Sequence, residues 1–214
     1  MQEITLDYQK FPSGKQYACV RDGKTKTFLR NIAFLHPASD KRRIVLVHEW
    51  DYPMNREWEP PKGQMEWKEF AAEGYKKGQK LTVQQLMAAA RQGVLREVAE
   101  EAKIPKTSIQ SLHPLSLSYT EPFPEAGPNA YFRYQFWEGI VDAETVKAAQ
   151  RTIERIVNNP EVAAKLPADK KEKDAVGFWK PTTRSDWDKI RGAFSGLMTR
   201  MYYGGNDGMA SRAT

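Results

Sequence analysis

Cysteine is nearly absent from this sequence, since Cys19 is the only one among 214 residues. A single cysteine excludes an intrachain disulfide framework and a zinc site built from cysteines. The three histidines form no cluster in the sequence, so a histidine-based metal site is not indicated either. These absences are typical of a reducing compartment, and we expect the protein in the cytoplasm.

Long apolar runs are also missing. No stretch approaches the roughly 20 consecutive apolar residues that a bilayer-spanning helix needs. The first residues, MQEITLDYQKF, lack the basic start and the apolar run of a signal peptide. The sequence therefore predicts no membrane partner.

Charged residues of both signs are plentiful, with a small positive excess. Lys and Arg number 33 against 27 Asp and Glu, which gives a net charge of +6. This excess favours anionic partners without identifying them. With 40% hydrophobic residues the chain can bury a core of its own. We predict one domain over residues 1–203, followed by a flexible tail at 204–214, and the sequence leaves the oligomeric state open.

Hydrophobic patterning divides the chain into strand-like and helix-like segments. Apolar and β-branched stretches predict strands at 16–20, 27–35, 44–47, 115–120, 130–141 and 175–181. Helices are predicted at about 83–102, 143–158 and 184–203, the last with an apolar stripe at Trp187, Ile190, Phe194, Leu197 and Met201. The glycine- and lysine-containing residues 70–81 are predicted to form an exposed loop. This order of elements predicts an α+β fold, an α/β/α sandwich with a mixed sheet.

Three glutamates share one face of the helix predicted at 83–102. Glu97, Glu100 and Glu101 are spaced at i, i+3 and i+4, so their side chains project together. Like charges at these spacings repel by several tenths of a kcal/mol per pair, and removing one charge is expected to stabilise the metal-free helix slightly. A divalent cation also removes the repulsion, and carboxylate oxygens suit Mg²⁺ or Mn²⁺. The alternative is a solvated acidic face without a ligand.

The turn upstream of this helix favours the metal site. The stretch WEPPKGQMEWKE, residues 58–69, places Gly63 five residues before Glu69, and REVAEE follows at 96–101. Together these residues resemble the Nudix box, in which Gly, five residues, Glu and seven residues precede Arg-Glu-apolar-x-Glu-Glu-x-Gly-apolar. The resemblance covers most of residues 28–140. It implies a Nudix fold with the helix at 143–158 as an addition, and a Mg²⁺- or Mn²⁺-dependent hydrolase that cleaves a diphosphate linkage.

The chain departs from the family pattern at two places. Residues 70–95 number 26 where the pattern has seven, so 19 residues are inserted, and the loop predicted at 70–81 absorbs them most easily. Lys103 stands where the family has a glycine that ends the helix in a left-handed conformation. A non-glycine residue in that conformation costs on the order of 1 kcal/mol.

The resemblance assigns roles residue by residue. Glu97, Glu100 and Glu101 are implied as ligands of the divalent cation, with help from the Gly63 carbonyl. Arg96 is implied to orient a glutamate through a salt bridge. For the general base the candidates remain three, each with an alternative as a solvated charge: Glu121, Glu125 and Glu172.

The substrate has to be inferred from residues outside the metal site. The run Trp-x-Pro-Pro-Lys-Gly-x-x-Glu-x-x-Glu is most similar to diadenosine tetraphosphate hydrolases, which implies Lys62 as a phosphate contact. Arg56 could extend the positive charge, and Tyr131 and Tyr134 could stack on a base, although alternating aromatic residues are more often half core and half surface. The alternatives are an mRNA cap or a diphosphoinositol phosphate as substrate. A different class also stays open, an RNA-binding or regulatory module of the same fold without turnover.

Overall fold

The computed structural model describes residues 4–50, 52–167 and 171–207. Within these ranges the chain divides into two compact units. Unit 1 takes in Met1–Ile32, Lys62–Leu95 and Pro114–Trp137, and unit 2 takes in Ala33–Pro61, Arg96–His113 and Glu138–Thr214. Both units contain strands and helices. Across the part of the chain that is described, no helix is long and apolar enough to cross a membrane.

The secondary structure has ten strands and six α-helices among the described residues. The strands are β1 (Ile4–Lys10), β2 (Gln16–Asp22), β3 (Thr25–His36), β4 (Ile44–Glu49), β5 (Trp58–Glu59), β6 (Lys62–Gln64), β7 (Lys80–Leu81), β8 (Ser111–Pro122), β9 (Ala130–Ile140) and β10 (Lys173–Trp179). The helices are α1 (Trp67–Ala72), α2 (Val83–Glu101), α3 (Ala143–Val157), α4 (Pro160–Ala164), α5 (Arg184–Trp187) and α6 (Ala193–Asp207).

The larger sheet has the strand order β7-β1-β2-β3-β9-β8, and β6 pairs with β3 in addition. The β1–β2 and β2–β3 pairs are antiparallel. The β3–β9 pair is parallel, because Lys26 N donates to Asn129 O at the start of both strands and Val141 N donates to His36 O at the end of both. This mixed sheet, together with the helices, confirms the predicted α+β class.

Aromatic rings form much of the core of unit 1. Phe28 is completely buried, and its ring meets Phe123 edge-on with the centroids 5.2 Å apart. Phe123 stacks on Phe132 at 3.8 Å and on Phe11 at 5.6 Å. Such contacts add to the free energy gained by burying the rings.

Unit 2 is built on a second sheet with the order β10-β4-β5. Its central strand, β4, is buried from Ile44 to His48, which matches the continuous apolar run of the sequence. The ring of Tyr202 on α6 stacks on Phe34 with a centroid distance of 4.1 Å, and Tyr203 donates to the carbonyl of Arg42 at 2.8 Å. These contacts hold α6 against the core of unit 2.

The prediction of an exposed loop at residues 70–81 is wrong in part. Phe70 belongs to α1 and is completely buried, and Leu81 belongs to β7 and is 1% exposed. Between them, Leu6 N donates to Gln79 O and Gly78 N donates to Leu6 O, both at 2.8 Å. Two apolar anchors and the pairing with β1 therefore make the inserted segment part of the packed structure.

The helix predicted at 184–203 is divided into α5 and α6. The break changes the phase of the pattern, so Phe194 and Leu197 are 49% and 39% exposed instead of lining the core. The buried face of α6 carries Ser195, Met198, Thr199, Tyr202 and Tyr203. Of the tail predicted from residue 204, α6 continues through Asp207, and residues 208–214 lie outside the described residues. The helix predicted at 143–158 is confirmed as α3.

Candidate functional site

The last two turns of α2 carry Arg96, Glu97, Glu100 and Glu101, all in unit 2. Arg96 Nη2 lies 2.7 Å from Glu97 Oε1, and Arg96 Nη1 lies 2.6 Å from Glu100 Oε2. The side chains of Arg96, Glu97 and Glu100 are each 16% exposed or less. The structure therefore places an arginine against two of the three predicted metal ligands.

The third glutamate faces a buried lysine. Lys173, on β10, is 4% exposed, and its Nζ atom lies 3.6 Å from Glu101 Oε1. The same ammonium lies 2.5 Å from Glu49 Oε2 and 2.8 Å from Glu59 Oε1. We refer to Glu49, Glu59, Glu101 and Lys173 as the lysine cluster.

Two further residues of unit 2 bind the carboxylates of this cluster. Arg191 Nη1 lies 2.6 Å from Glu49 Oε2 and 3.4 Å from Glu59 Oε1. Ser195 Oγ, on α6, donates to Glu59 Oε2 at 3.0 Å. Glu59 is 1% exposed. Inside unit 2 its charge is compensated by Lys173 and Arg191, and it accepts a hydrogen bond from Ser195.

Burial and charge act on the protonation of these groups in opposite directions. Burial raises the pKa of Glu97 to about 8, with the charge of Arg96 opposing the shift and that of Glu101 adding to it. Burial by itself would lower the pKa of Lys173. The charges of Glu101 and Glu59, with the hydrogen bonds to Glu49 and Glu59, outweigh burial and raise that pKa. The side chain of Lys173 is therefore held in its charged form.

The end of α2 has the conformation that the family pattern requires of a glycine. Lys103 has a φ of 56°, in the left-handed region. Its Nζ atom donates to the carbonyl oxygen of Glu100, which satisfies one of the acceptors that a helix leaves open at its C-terminus. Lys103 therefore has the left-handed backbone conformation that was predicted for this position from the sequence.

Lys62 and Gly63, the predicted phosphate and metal contacts, belong to unit 1. Lys62 and Gly63 lie on β6, where they pair with Ile32 and Asn31 of β3. Lys62 is half-buried. The metal contact of Gly63 and the phosphate contact of Lys62 remain predictions.

Glu69 lies in the first turn of α1, and its Oε2 accepts from Glu66 N at 3.1 Å in a capping box. A Cβ atom added to Gly93 of α2 would lie 3.2 Å from the same Oε2 atom. Glu69 therefore lies close to α2.

The aromatic residues predicted to bind the substrate lie on β9 in unit 1. Tyr134 is 2% exposed; its hydroxyl donates to Glu121 Oε1 at 2.8 Å and accepts from Arg30 Nη1 at 3.0 Å. Its buried ring offers no stacking face, so we do not retain that role for Tyr134. Tyr131 is half-buried and stays a candidate.

The other predicted residues occupy separate places. Glu121 is half-buried, and Glu125 is exposed in a short 3-10 turn, Pro124–Ala126, of unit 1. Arg56 and Glu172 are exposed in unit 2, where the Glu172 carbonyl accepts from Trp50 N at 3.0 Å. Each unit therefore contains candidates for the general base.

Sequence reasoning missed the lysine cluster. Glu59 stands directly after Trp58 and before two prolines, and nothing in the sequence shows that it is buried. Lys173 comes from a charged stretch, residues 170–174, in which no spacing distinguishes one lysine from the next. A lysine buried among carboxylates is visible only when the fold brings β4, β5, β10 and α2 together within unit 2.

The donor chemistry of the site suits a divalent cation, but no metal position is preformed among the described residues. Glu97, Glu100 and Glu101 offer the carboxylate oxygens that Mg²⁺ and Mn²⁺ take. Among the described residues, however, no group of three or more His, Cys, Asp or Glu side chains is arranged so that it could hold a metal ion. Arg96 and Lys173 contact these carboxylates instead.

Comparison with known proteins found similarities in structure alone. No family model matches the chain, and no curated protein matches it. A NUDIX hydrolase from Nitrosomonas europaea is 15% identical with a TM-score of 0.44, over 84% of this chain and 90% of that chain. The NUDIX domain of Shewanella oneidensis NrtR, complexed with ADP ribose, is 14% identical with a TM-score of 0.44, over 87% of this chain and 93% of that chain.

A third similar structure is longer than this chain. The bifunctional NMN adenylyltransferase/ADP ribose pyrophosphatase from Francisella tularensis, complexed with AMP and a Mn ion, is 10% identical with a TM-score of 0.39, over 85% of this chain and 43% of that chain. Two of the three names contain the family name predicted from the sequence, and none mentions diadenosine tetraphosphate or an mRNA cap. At these identities and TM-scores the likeness decides neither the activity nor the substrate.

Proposed function

We propose that this protein is a pyrophosphohydrolase of the Nudix type that cleaves a diphosphate linkage in a nucleotide-containing substrate. The observation that carries the proposal is the carboxylate face of α2. Glu97 and Glu100 are both held by Arg96, at 2.7 and 2.6 Å, and Glu101 follows on the same helical face. The proposed cofactor is Mg²⁺ or Mn²⁺, with Glu97, Glu100, Glu101 and the Gly63 carbonyl as proposed ligands.

The substrate that the sequence favours is a dinucleoside polyphosphate such as diadenosine tetraphosphate. Support comes from the run at residues 58–69, in which the lysine follows two prolines and precedes the glycine. In this proposal Lys62 contacts a phosphate, Arg56 adds positive charge and Tyr131 offers a face to a base. An mRNA cap and a diphosphoinositol phosphate are the alternative substrates.

A substrate panel tests the proposal. The protein is incubated with diadenosine polyphosphates, ADP-ribose, NADH, capped RNA and diphosphoinositol phosphates, in Mg²⁺, in Mn²⁺ and in EDTA, and the products are separated and identified. We expect cleavage of a diadenosine polyphosphate that requires the divalent ion and is lost in a Glu100→Gln variant. Turnover that persists in EDTA, or in the variant, contradicts the assignment.

A binding module without turnover is the second candidate. The observation that favours it is the neutralisation of all three carboxylates by Arg96 and Lys173 of the same chain. RNA is the anionic partner that the net charge of +6 suits. Retention of RNA that weakens steeply with salt, together with no cleavage of any panel substrate, would support the module and reject the hydrolase.

A further inference from the structure

We propose that Lys173 is a positioning residue whose ammonium group holds Glu49, Glu59 and Glu101 together in the place of a divalent cation. The inference deepens the proposed function, because Glu101 is one of the proposed metal ligands. Its test does not depend on turnover, so the two proposals fail independently.

The geometry of the lysine cluster is that of a coordinated cation. The Nζ atom lies 2.5, 2.8 and 3.6 Å from oxygens of Glu49, Glu59 and Glu101. An ammonium group has three donors to offer and no acceptor. It therefore meets each carboxylate with one hydrogen or with close electrostatic contact, while the lysine chain anchors it to β10.

The burial of the cluster makes this cation necessary. The side chains of Lys173, Glu59 and Glu101 are 3%, 1% and 9% exposed. Carboxylates removed from water without a cation are strongly destabilising. Lys173 joins three other elements, because Glu49 lies on β4, Glu59 on β5 and Glu101 on α2.

Arg191 does not duplicate this role. It contacts Glu49 and Glu59 at 2.6 and 3.4 Å from a position that is 36% exposed. Ser195 supplies a neutral donor to Glu59. The charge next to Glu101 within the cluster comes from Lys173, so the cluster stays assembled when no divalent ion is bound.

Removal of the ammonium should convert the cluster into a site for a divalent ion. The variant Lys173→Met keeps the length of the apolar stem and deletes the charge. Mn²⁺ binding is counted by the EPR signal of the free ion, and thermal melts are recorded in EDTA and in Mn²⁺. We expect Lys173→Met to melt well below the wild type in EDTA, to recover several degrees more than the wild type on addition of Mn²⁺, and to bind one more Mn²⁺ per chain.

Lys180→Met is the matched control. Lys180 forms a 2.8 Å ion pair with Asp40, but both side chains are substantially exposed, at 45% and 31%. Its replacement removes the same charge outside the cluster, so it should bind Mn²⁺ and respond to it as the wild type does. Equal Mn²⁺ binding and equal recovery in Lys173→Met and in the wild type would overturn the proposal.

A second variant covers the case in which Lys173→Met does not fold in EDTA. The double variant Lys173→Met/Glu59→Gln carries one buried carboxylate fewer, so it should be more stable than the single variant and should lose the additional Mn²⁺. If both variants stay unfolded with and without Mn²⁺, the ammonium is not replaceable by a cation and the proposal is wrong. Loss of the predicted Mn²⁺ effect with wild-type turnover intact rejects the role of Lys173 and leaves the hydrolase standing.

The wild type gives an independent readout. The ¹H–¹⁵N signal of the Lys173 ammonium, assigned by its absence in Lys173→Met, should be visible because burial slows exchange of its protons with water. We expect it to persist in saturating Mg²⁺. Its disappearance in Mg²⁺ would mean that the metal displaces Lys173 from the cluster, which contradicts the proposal.

Discussion

Arg96 donates a 2.6 Å hydrogen bond to Glu100, which lies one turn further along α2. Its other terminal nitrogen donates to Glu97 at 2.7 Å. The repulsion expected from the sequence between these glutamates is therefore offset by an arginine on the same helix. The expectation that removal of one charge stabilises the helix does not hold for this arrangement, because the arginine would lose a partner.

Glu100→Gln and Glu101→Gln should each abolish most of the proposed activity, by about 100-fold or more, because each removes a proposed metal ligand. We expect Glu100→Gln to lower the free energy of unfolding by up to about 1 kcal/mol, since it weakens the ion pair with Arg96. Turnover of the best panel substrate and urea unfolding measure the two effects. Glu144→Gln, which breaks an exposed ion pair with Lys147, is the control and should change neither.

The conformation of Lys103 makes a prediction about stability alone. At a φ of 56° a Cβ atom costs on the order of 1 kcal/mol, and glycine avoids that cost. Lys103→Gly and Lys103→Ala both lose the ammonium that bonds the Glu100 carbonyl, so they differ only in the Cβ atom. We expect the free energy of unfolding, measured in urea, to be higher for the glycine variant than for the alanine variant by about 1 kcal/mol. Equal stability would show that the left-handed conformation at this position is not strained.

The sequence predicted the elements that its own periodicity or punctuation defines. The helix before Pro105 and the helix at 143–158 appear as α2 and α3, with α3 capped by the Asp142 side chain, which accepts from Thr145 N at 2.7 Å. The apolar run from Ile44 to Val47 appears as the buried β4. These segments carry their signal locally, so no tertiary information was needed.

The misses depended on contacts between distant residues. Phe70 stands in a polar stretch and is buried because α1 packs inside unit 1, against Tyr75 among others. The phase of α6 was wrong because residues 188–192 break the helix. Gly192, which has a φ of 38°, was the available signal, since glycine is unfavourable inside a helix. Lys173 looked like one charge among several, and only its distances to Glu49 and Glu59 identify it.

Asp7 should make the free energy of unfolding decrease at acid pH. Burial by itself would raise the pKa of Asp7, but hydrogen bonds from Arg21, from Tyr8 N and from Lys77 lower it. A carboxylate with a lowered pKa in the folded state stabilises the fold above its unfolded pKa, and this contribution is lost as the pH falls through the folded value.

The comparison of wild type with Asp7→Asn tests this sign. The difference in the free energy of unfolding should be constant above a pH of about 5 and should shrink as the pH falls below the ordinary Asp value of about 4. Urea unfolding from pH 3 to pH 7 measures it. A difference that is independent of pH would mean that the ionised carboxylate of Asp7 is not what the three donors stabilise.

Lys62→Ala should weaken binding of a polyphosphate substrate by about 1.5–3 kcal/mol, the scale of a charge-assisted hydrogen bond. Mg²⁺ affinity should hardly change in this variant, whereas Gly63→Val should reduce both affinities because the proposed metal contact is a backbone oxygen. Calorimetric titration with a slowly cleaved analogue of the best panel substrate measures the loss of binding free energy. Lys68→Ala is the control, because Lys68 is an exposed lysine of the same segment that pairs with Glu66 at 2.8 Å. If Lys62→Ala binds the analogue as tightly as the wild type, the proposal that the substrate is a dinucleoside polyphosphate loses its main support.

Gly93 lies on α2 against two side chains that have little room to move. A Cβ atom there would lie 3.2 Å from Asn31 Nδ2 and from Glu69 Oε2. Asn31 is 1% exposed and is held from its other side, because its Oδ1 accepts from Trp137 Nε1 at 2.9 Å. Glu69 is held by the capping box with Glu66.

Gly93→Ala should therefore destabilise the protein, although alanine is favoured over glycine in a helix by about 1 kcal/mol. Overpacking against held neighbours costs about 1–3 kcal/mol, so we expect a net loss of about 1 kcal/mol in urea unfolding. Gln92→Ala, at the exposed neighbouring position, is the control and should stay within about 0.5 kcal/mol of the wild type. In a Glu69→Ala background the loss caused by Gly93→Ala should become smaller, because one of the two close contacts is gone. An increase in stability for Gly93→Ala alone would mean that Glu69 and Asn31 give way freely, and that the glycine is not there to admit Glu69 against α2.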